Sequence, residues 1–202
     1  MGVTTTGRFA ALTNYRDPLA RKSSAPSRGL LVSGFLTGSA SPHDYLVTLS
    51  SQRERYEGFN LVAGDGNAIY YLGNHGPRPQ ELHPGIYGVS NHLMDTPWPK
   101  VTLAKQRLAA LLQQPHIVPE ALFAMLADRS IPADRELPDT GVGIEREREL
   151  GSIFIASSAY GTRASTVLLL HSNACVQFEE RRFAVLGEPE GDTKLSFSIG
   201  AD

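Results

Sequence analysis

The stretch that decides the fold is FNLVAGDGNAIYYL, residues 59–72. Two apolar segments, residues 59–63 and 68–72, flank Gly64-Asp65-Gly66-Asn67. Because Gly, Asp and Asn tolerate the positive φ of tight turns, this pattern predicts a β-hairpin. Gly64-Asp65-Gly66 also superficially resembles a nucleotide loop. A strand follows it and not a helix, so no helix N-terminus is available there for a phosphate.

The sequence on both sides of this hairpin also predicts individual elements. Upstream, residues 2–14 read as a second hairpin that turns at Gly7, and residues 15–28 as a loop. Ser41-Pro42 has the pattern of a helix N-cap followed by the first helical position. Downstream, we expect strands at residues 81–83 and 86–90, the latter ending at Asn91.

The second half of the chain begins with Asp95-Thr96-Pro97-Trp98-Pro99, an aromatic turn that should lead into a helix over residues 99–114. A second helix is predicted over residues 119–128, followed by an irregular stretch over 130–150. That stretch ends in the charge run at residues 145–149, which is typical of a solvated surface. Four further strands are expected, at residues 152–155, 165–170, 175–182 and 194–199.

This order of elements predicts an α+β fold, with layered antiparallel sheets and flanking helices. Strands come first, helices follow, and strands linked by hairpins return. The apolar run Val167-Leu168-Leu169-Leu170 predicts a strand that is buried on both faces.

Composition narrows the class of protein. The chain has 202 residues with a net charge of −2, so there is no bulk electrostatic attraction to nucleic acid or anionic lipid. No apolar run approaches the length of a membrane span. A single cysteine, Cys175, excludes an intrachain disulfide and permits a reducing compartment. We therefore expect a cytoplasmic protein without a membrane span; the sequence does not indicate its oligomeric state.

Few residues form a recognisable chemical motif. The six histidines lack zinc-motif spacing, so no metal site is predicted, and Cys175 reads as a small hydrophobic residue. Three polar residues remain near predicted strand ends: Asn14, Asn91 and Arg163. The alternative for each Asn is a turn residue that bonds its own backbone, and for Arg163 a surface ion pair.

Several ordered motifs resemble a known family. They are ALTNYRDP (residues 11–18), SRGLLV (27–32), YGVSN through DTPWPKV (87–101), YGTR through STV (160–167) and FEERRF (178–183). Together they span nearly the whole chain. On these residues the protein is identified as a member of the NRDE proteins, the transport and Golgi organisation protein 2 family.

The resemblance implies a fold and a site. The family is similar to the N-terminal nucleophile hydrolases, whose architecture is an αββα sandwich. The Met-Cys opening and the Asn-Arg-Asp-Glu motif of the family are absent here. We therefore expect a single domain over residues 1–202 that is N-terminally truncated, with the first strands missing. By motif, Asn14, Asn91 and Arg163 match the oxyanion and support residues of related cysteine-type amidases.

The resemblance also implies a function. The first expectation is a protein that handles or traffics a small ligand, either haem or a lipid or acyl metabolite, without catalysis in this chain. Haem would be cargo, with no resident cofactor, and His92 and Trp98 are the candidate ligand contacts. The second is an amidohydrolase whose Cys nucleophile lies in the missing segment, so whether the protein is an enzyme stays open. The third is a degenerate fragment without activity.

Overall fold

The structure, a computed structural model, describes residues 1–18 and 24–200. Part of the predicted loop over residues 15–28, namely 19–23, lies outside the described residues. The chain divides into two compact units, residues 1–96 and residues 97–202. Each unit contains its own antiparallel sheet. The structure therefore confirms a mixed α+β fold with antiparallel sheets.

The first unit is built around a five-stranded sheet in sequential order. Its strands are β1 (Gly2–Val3), β2 (Phe9–Asn14), β3 (Phe59–Gly64), β4 (Ile69–Gly73) and β5 (Gln80–Glu81). Every neighbouring pair is antiparallel. The two predicted hairpins are confirmed as β1–β2 and β3–β4. The turn of the second hairpin is held by Asp65, whose carboxylate accepts the backbone N–H groups of Asn67 and Ala68.

Two helices, α1 (Gly29–Thr37) and α2 (Pro42–Ser50), pack on one face of this sheet. The predicted cap is confirmed, since the Ser41 hydroxyl accepts the backbone N–H of Asp44 at 3.1 Å. The core between helices and sheet contains completely buried apolar side chains, among them Phe35, Leu46, Phe59 and Leu61. Complete burial of a large apolar side chain stabilises the folded state by about 1.5–3 kcal/mol. Because one face of the sheet is buried in this way, its register is fixed.

The second unit contains α3 (Pro99–Leu111), α4 (Pro119–Leu126) and α5 (Ile144–Glu149), followed by a three-stranded sheet. The sheet consists of β6 (Ala164–Leu170), β7 (Cys175–Phe183) and β8 (Pro189–Ser198) in sequential antiparallel order. Leu122 and Phe123 of α4 pack against Val167 of β6, with leucines of α3 beside them. Three-residue 3-10 turns occur at Arg53–Arg55, Asp134–Glu136 and Val185–Gly187.

The structure overturns two strand predictions. Residues 86–90 form no strand, and only Gln80–Glu81 pairs with β4, as β5. Residues 152–155 are also irregular, with an isolated bridge between Ala156 and Gly161 nearby. Both segments have the apolar composition of strands. An extended segment becomes a strand only when a neighbour supplies ladder hydrogen bonds, and composition does not specify that neighbour.

Two burial predictions are also wrong. Leu170 is 40% exposed, so the apolar run in β6 is not buried on both faces. The charge run at residues 145–149 is helical and not wholly solvated, because Glu147 is 2% exposed. The Glu147 carboxylate accepts hydrogen bonds from the backbone N–H and the hydroxyl of Thr140. These bonds compensate part of the cost of burying a carboxylate.

No helix among the described residues is long and apolar enough to cross a membrane.

Candidate functional site

The two units share the predicted site residues between them. Asn14, Asn91 and His92 belong to the first unit, whereas Trp98 and Arg163 belong to the second. Arg163 precedes β6, its side chain is 63% exposed, and its guanidinium lies 3.9 Å from Glu190. That geometry matches a surface ion pair. The indole of Trp98 is buried just before α3. Any contact of either residue with a ligand stays a prediction.

In the first unit, Asn14 and Asn91 lie side by side. Asn14 is the last residue of β2, and its carbonyl accepts a hydrogen bond from the Asn91 side-chain amide at 3.1 Å. The backbone carbonyl of Asn91 in turn accepts the N–H of Arg16 at 2.6 Å. The Asn91 amide thus uses one of its two N–H donors to hold the strand end. The two asparagines that the sequence singled out are therefore structurally coupled.

A buried amide, Asn60 of β3, anchors the segment that carries Asn91. Asn60 is 1% exposed. Its Nδ2 lies 2.9 Å from the His92 carbonyl, 3.1 Å from the Thr13 hydroxyl and 3.4 Å from the Ser90 carbonyl. The Thr13 hydroxyl itself donates to the Ser90 carbonyl at 2.7 Å. The carbonyls on both sides of Asn91 are thereby bonded to the sheet.

The other end of the same amide is bonded to Tyr71 of β4. The Tyr71 hydroxyl donates to Asn60 Oδ1 at 2.7 Å and accepts the backbone N–H of Met94 at 3.0 Å. These partners fix the amide orientation, because the flipped group would place Oδ1 against two carbonyl oxygens. Each polar atom in this buried network has a partner, which is the condition under which such a network stabilises a single conformation.

Gly73, the cross-strand neighbour of Asn60, leaves room for this network. A Cβ atom at position 73 would lie 2.7 Å from the Tyr71 hydroxyl and 3.0 Å from Asn60 Oδ1. The Tyr71 ring is 5% exposed and its hydroxyl is bonded on both sides, so it has little freedom to move away. A side chain at position 73 would therefore compete with the network.

His92 belongs to a group of three contacting rings, called the ring stack below. The ring of Tyr15 is stacked on that of His75, at a centroid distance of 4.3 Å, and contacts the ring of His92 at 4.9 Å with a tilt of 36°. The Thr96 hydroxyl donates to the Leu93 carbonyl at 2.7 Å and lies 2.8 Å from His92 Nδ1. Because the Thr96 hydrogen is already used, Nδ1 is the donor to Thr96. In the neutral ring the proton is therefore on Nδ1, and Nε2 has the acceptor lone pair.

Burial perturbs the titration of two of these rings. Burial lowers the pKa of His92, and the neighbouring His75 imidazole lowers it further. Burial raises the pKa of Tyr15, with a smaller contribution from the Asp17 carboxylate. Both shifts favour the neutral form of the ring. A neutral imidazole can pack against an aromatic face, and one of its nitrogens can accept a hydrogen bond or coordinate a metal ion.

A cavity of about 390 Å³ opens beside Asn14 on the helix-covered face of the sheet. Its lining combines polar and small apolar groups: Leu12, Asn14, Ala25, Pro26, Ser27, Arg28, Gly29 and Glu57. The Arg28 guanidinium donates to the Gly58 carbonyl at 2.8 Å and lies 3.5 Å from Glu57. Its other N–H donors and the adjacent N-terminus of α1 can bind an anionic group, in competition with the Glu57 carboxylate of the same wall. The volume lies near the lower limit of ordinary ligand pockets.

A further question is whether side chains of the described residues could bind a metal ion. Within residues 1–18 and 24–200, no group of three His, Cys, Asp or Glu side chains could hold a metal ion. Cys175 begins β7 and its sulfur lies 3.8 Å from the Ser196 hydroxyl.

Sequence reasoning missed Asn60, Tyr71 and Arg28 as site residues. A signal for Asn60 was present, since it is a polar residue within the apolar segment of β3. Buried polar residues need partners, so such a position predicts a network. The partners of Asn60 lie up to 47 positions away, and nothing local identifies them.

Comparison with known proteins gives one consistent result. The family model described as Transport and Golgi organisation 2 matches residues 1–185. The chain is similar to a Transport and Golgi organization protein 2 homolog of Bos taurus, with 38% identity over 195 residues. Homologs of the same description from Homo sapiens and Mus musculus are 36% and 34% identical over 195 residues. Each match covers 90% of this chain and 70% of the relative.

The first prediction concerns Gly73. A Gly73→Ala substitution should lower the free energy of unfolding by about 1–3 kcal/mol, because the new methyl group overlaps the Asn60–Tyr71 hydrogen bond. Gly29→Ala is the matched control. Its Cβ would meet only the Ser27 hydroxyl at 3.5 Å, and Ala favours the helix. Urea denaturation measures both. Equal stability of Gly73→Ala and wild type would contradict the proposed packing.

The second prediction concerns His92. Its folded-state pKa should lie below the unfolded value of about 6.5, so the unfolded chain binds more protons between these two values. The stability that the neutral ring contributes is therefore present above about pH 6.5 and is lost as the pH falls through the folded-state pKa. An NMR titration of the imidazole nitrogens reads both the pKa and the tautomer. A midpoint above 6.5, or a neutral ring protonated at Nε2, would contradict the assignment.

Proposed function

Because the chain belongs to the Transport and Golgi organisation 2 family, we propose that it handles or traffics a small amphipathic ligand without catalysis in this chain. The ligand is haem or a lipid or acyl metabolite, each of which combines an apolar body with an anionic group. We place this activity in the cytoplasm, which the single cysteine permits.

The observation that carries the proposal is the cavity beside Asn14. Arg28 and the N-terminus of α1 would receive a carboxylate or phosphate, whereas Leu12, Ala25 and Pro26 offer apolar contact. Asn91 connects this cavity to the ring stack, because its amide is bonded to the backbone of Asn14. A ligand held at the cavity would thus contact a strand end that the Asn60 network keeps in place.

The ring stack distinguishes the two ligand classes. Haem as cargo would use an imidazole as its ligand, and His92, whose Nδ1 is bonded to Thr96, is the candidate. A hydrogen bond at the opposite ring nitrogen is the arrangement that orients metal-bound histidines in general. An acyl metabolite would need no imidazole and would depend on Arg28.

The finer fold assignment is also a proposal. We infer that residues 1–202 form one domain of the αββα type found in N-terminal nucleophile hydrolases. Each unit by itself supports this assignment, because each has an antiparallel sheet with helices packed against it.

Amide hydrolysis is the second candidate function. The observation in its favour is that the Asn91 amide is held by Asn14 and by the flanking bonds to Asn60. An oxyanion donor must be oriented before charge develops, and a donor fixed in this way meets that requirement. The nucleophilic Cys would have to come from sequence outside residues 1–202, because Cys175 is not an N-terminal residue.

The third prediction separates haem from acyl ligands. In titrations with hemin and with palmitoyl-CoA, Arg28→Ala should weaken binding of both roughly 10- to 150-fold, the loss expected for one hydrogen bond to a charged group. His92→Ala should weaken hemin binding alone and shift its Soret band. Arg55→Ala and His43→Ala, both at exposed positions, are the matched controls.

Two results would contradict the carrier proposal. One is the absence of saturable binding of either ligand to the wild-type chain. The other is a loss of affinity in Arg55→Ala and His43→Ala that equals the loss in the site variants. Thermal melts of all four variants separate loss of binding from loss of folding.

The fourth prediction tests hydrolysis. In a chain extended so that it begins with a Cys, Asn91→Ala should lower amide turnover by about 100- to 1,000-fold if Asn91 is an oxyanion donor. Asn67→Ala in the β3–β4 turn is the matched control. A carrier without hydrolytic activity shows no turnover in any variant and retains ligand affinity after Asn91→Ala. Wild-type turnover in Asn91→Ala would exclude the residue from catalysis.

A further inference from the structure

A second cavity, of about 310 Å³, lies wholly within the second unit and is lined by arginine and phenylalanine. It is bounded by the end of α4, by Phe154 and by the edge of the sheet where β7 turns into β8. Its charged and aromatic wall consists of Arg129, Arg181, Arg182, Phe123, Phe154 and Phe183. Three guanidinium groups thus face one cavity together with one carboxylate, Asp192.

The positive charge of this wall is only partly compensated. Arg181 is paired with Glu120, and Asp192 is its cross-strand neighbour. Arg182 donates to the Thr193 hydroxyl at 2.8 Å, which is a neutral acceptor. Among the described residues, neither Arg129 nor Arg182 forms an ion pair. Two guanidinium groups without acidic partners at one cavity leave a net attraction for an anion.

The same cations are held against aromatic rings. The Arg181 guanidinium lies 4.0 Å from the centre of the Phe123 ring, and the Arg129 guanidinium 4.9 Å from that of Phe154. Phe154 also meets Phe183 edge-to-face at 4.8 Å. Cation–π contacts position a guanidinium without neutralising it. Phe123 and Phe154 are buried beneath these arginines, so the half-buried Phe183 is the ring that the cavity offers beside the uncompensated charge.

Gly187, in the turn between β7 and β8, and Gly191 of β8 lie close to two of these arginines. Gly187 has a φ of 76°, and a Cβ there would lie 2.7 Å from the Arg129 guanidinium and 2.6 Å from the Phe154 ring. Gly191, with a φ of 135°, also lies close to Arg182, whose guanidinium would be 2.9 Å from a Cβ. Glycine at both positions permits this close approach. Two of the guanidinium groups thus lie against the backbone that borders the cavity.

From this geometry we propose that the second unit binds a small aromatic anion, a planar ring with a carboxylate or phosphate, with its ring against Phe183 and its anionic group at Arg129 and Arg182. The anionic group takes hydrogen bonds from the two guanidinium groups, and the ring stacks on Phe183. A cavity of this size suits a ligand of one or two fused rings. The site is independent of the cavity beside Asn14.

The experiment is a calorimetric titration of the full chain with 2-naphthoate, with 2-naphthyl phosphate and with the uncharged 2-naphthylmethanol. The two anions should bind saturably, and the alcohol at least tenfold more weakly. Arg129→Gln should weaken binding of the anions about tenfold or more, since one charge-assisted contact is lost. Arg135→Gln, an exposed arginine in the same unit, is the matched control and should bind as wild type does.

Comparison of the two anions shows whether a carboxylate or a phosphate is preferred, and either preference agrees with the proposal. Equal binding of the alcohol would overturn it, as would an absence of saturable binding or equal losses in Arg129→Gln and Arg135→Gln. Both substitutions replace exposed side chains, and a thermal melt of each variant verifies folding. Phe183→Leu, measured in the same way, should weaken binding of the anions and of the alcohol alike, because it removes the ring face.

Discussion

The first unit depends on one buried amide. Asn60 is bonded at one end to Thr13 and to the carbonyls that flank Asn91, and at the other end to Tyr71. An unpaired amide in this position would cost about 1–3 kcal/mol, whereas a fully paired one specifies a single arrangement of the chain. The irregular segment over residues 88–96 forms no strand, so these side-chain bonds take over the anchoring role that ladder hydrogen bonds have elsewhere.

The two candidate sites are organised by different physical means. Around Asn14 and Asn91, neutral amides and hydroxyl groups hold the backbone, and the ionisable rings are kept neutral by burial. In the second unit, guanidinium groups line the cavity, and aromatic rings and glycine backbone lie against them. The first arrangement suits precise placement of a donor or a coordinating nitrogen. The second suits attraction of an anion before it is positioned.

Local chemistry explains which elements the sequence could predict. The β3–β4 hairpin and the Ser41 cap depend on residues within a few positions of each other, and both are confirmed. Helix α1 was missed because its start, after Arg28, has no side-chain cap and its residues are apolar almost throughout. Residues 86–90 were predicted as a strand because composition indicates an extended chain but not a pairing partner.

The sequence predicted two residues of the candidate site but not the side chains that hold them in place. Asn14 and Asn91 were identified by resemblance, and the structure brings them together, but their support comes from Asn60 and Tyr71 of a separate hairpin. Hydrogen exchange in an Asn60→Ala variant tests this dependence most directly. We expect the amides of Met94 and Arg16 to lose protection while those of the β3–β4 ladder keep it. Unchanged protection at Met94 and Arg16 would contradict it.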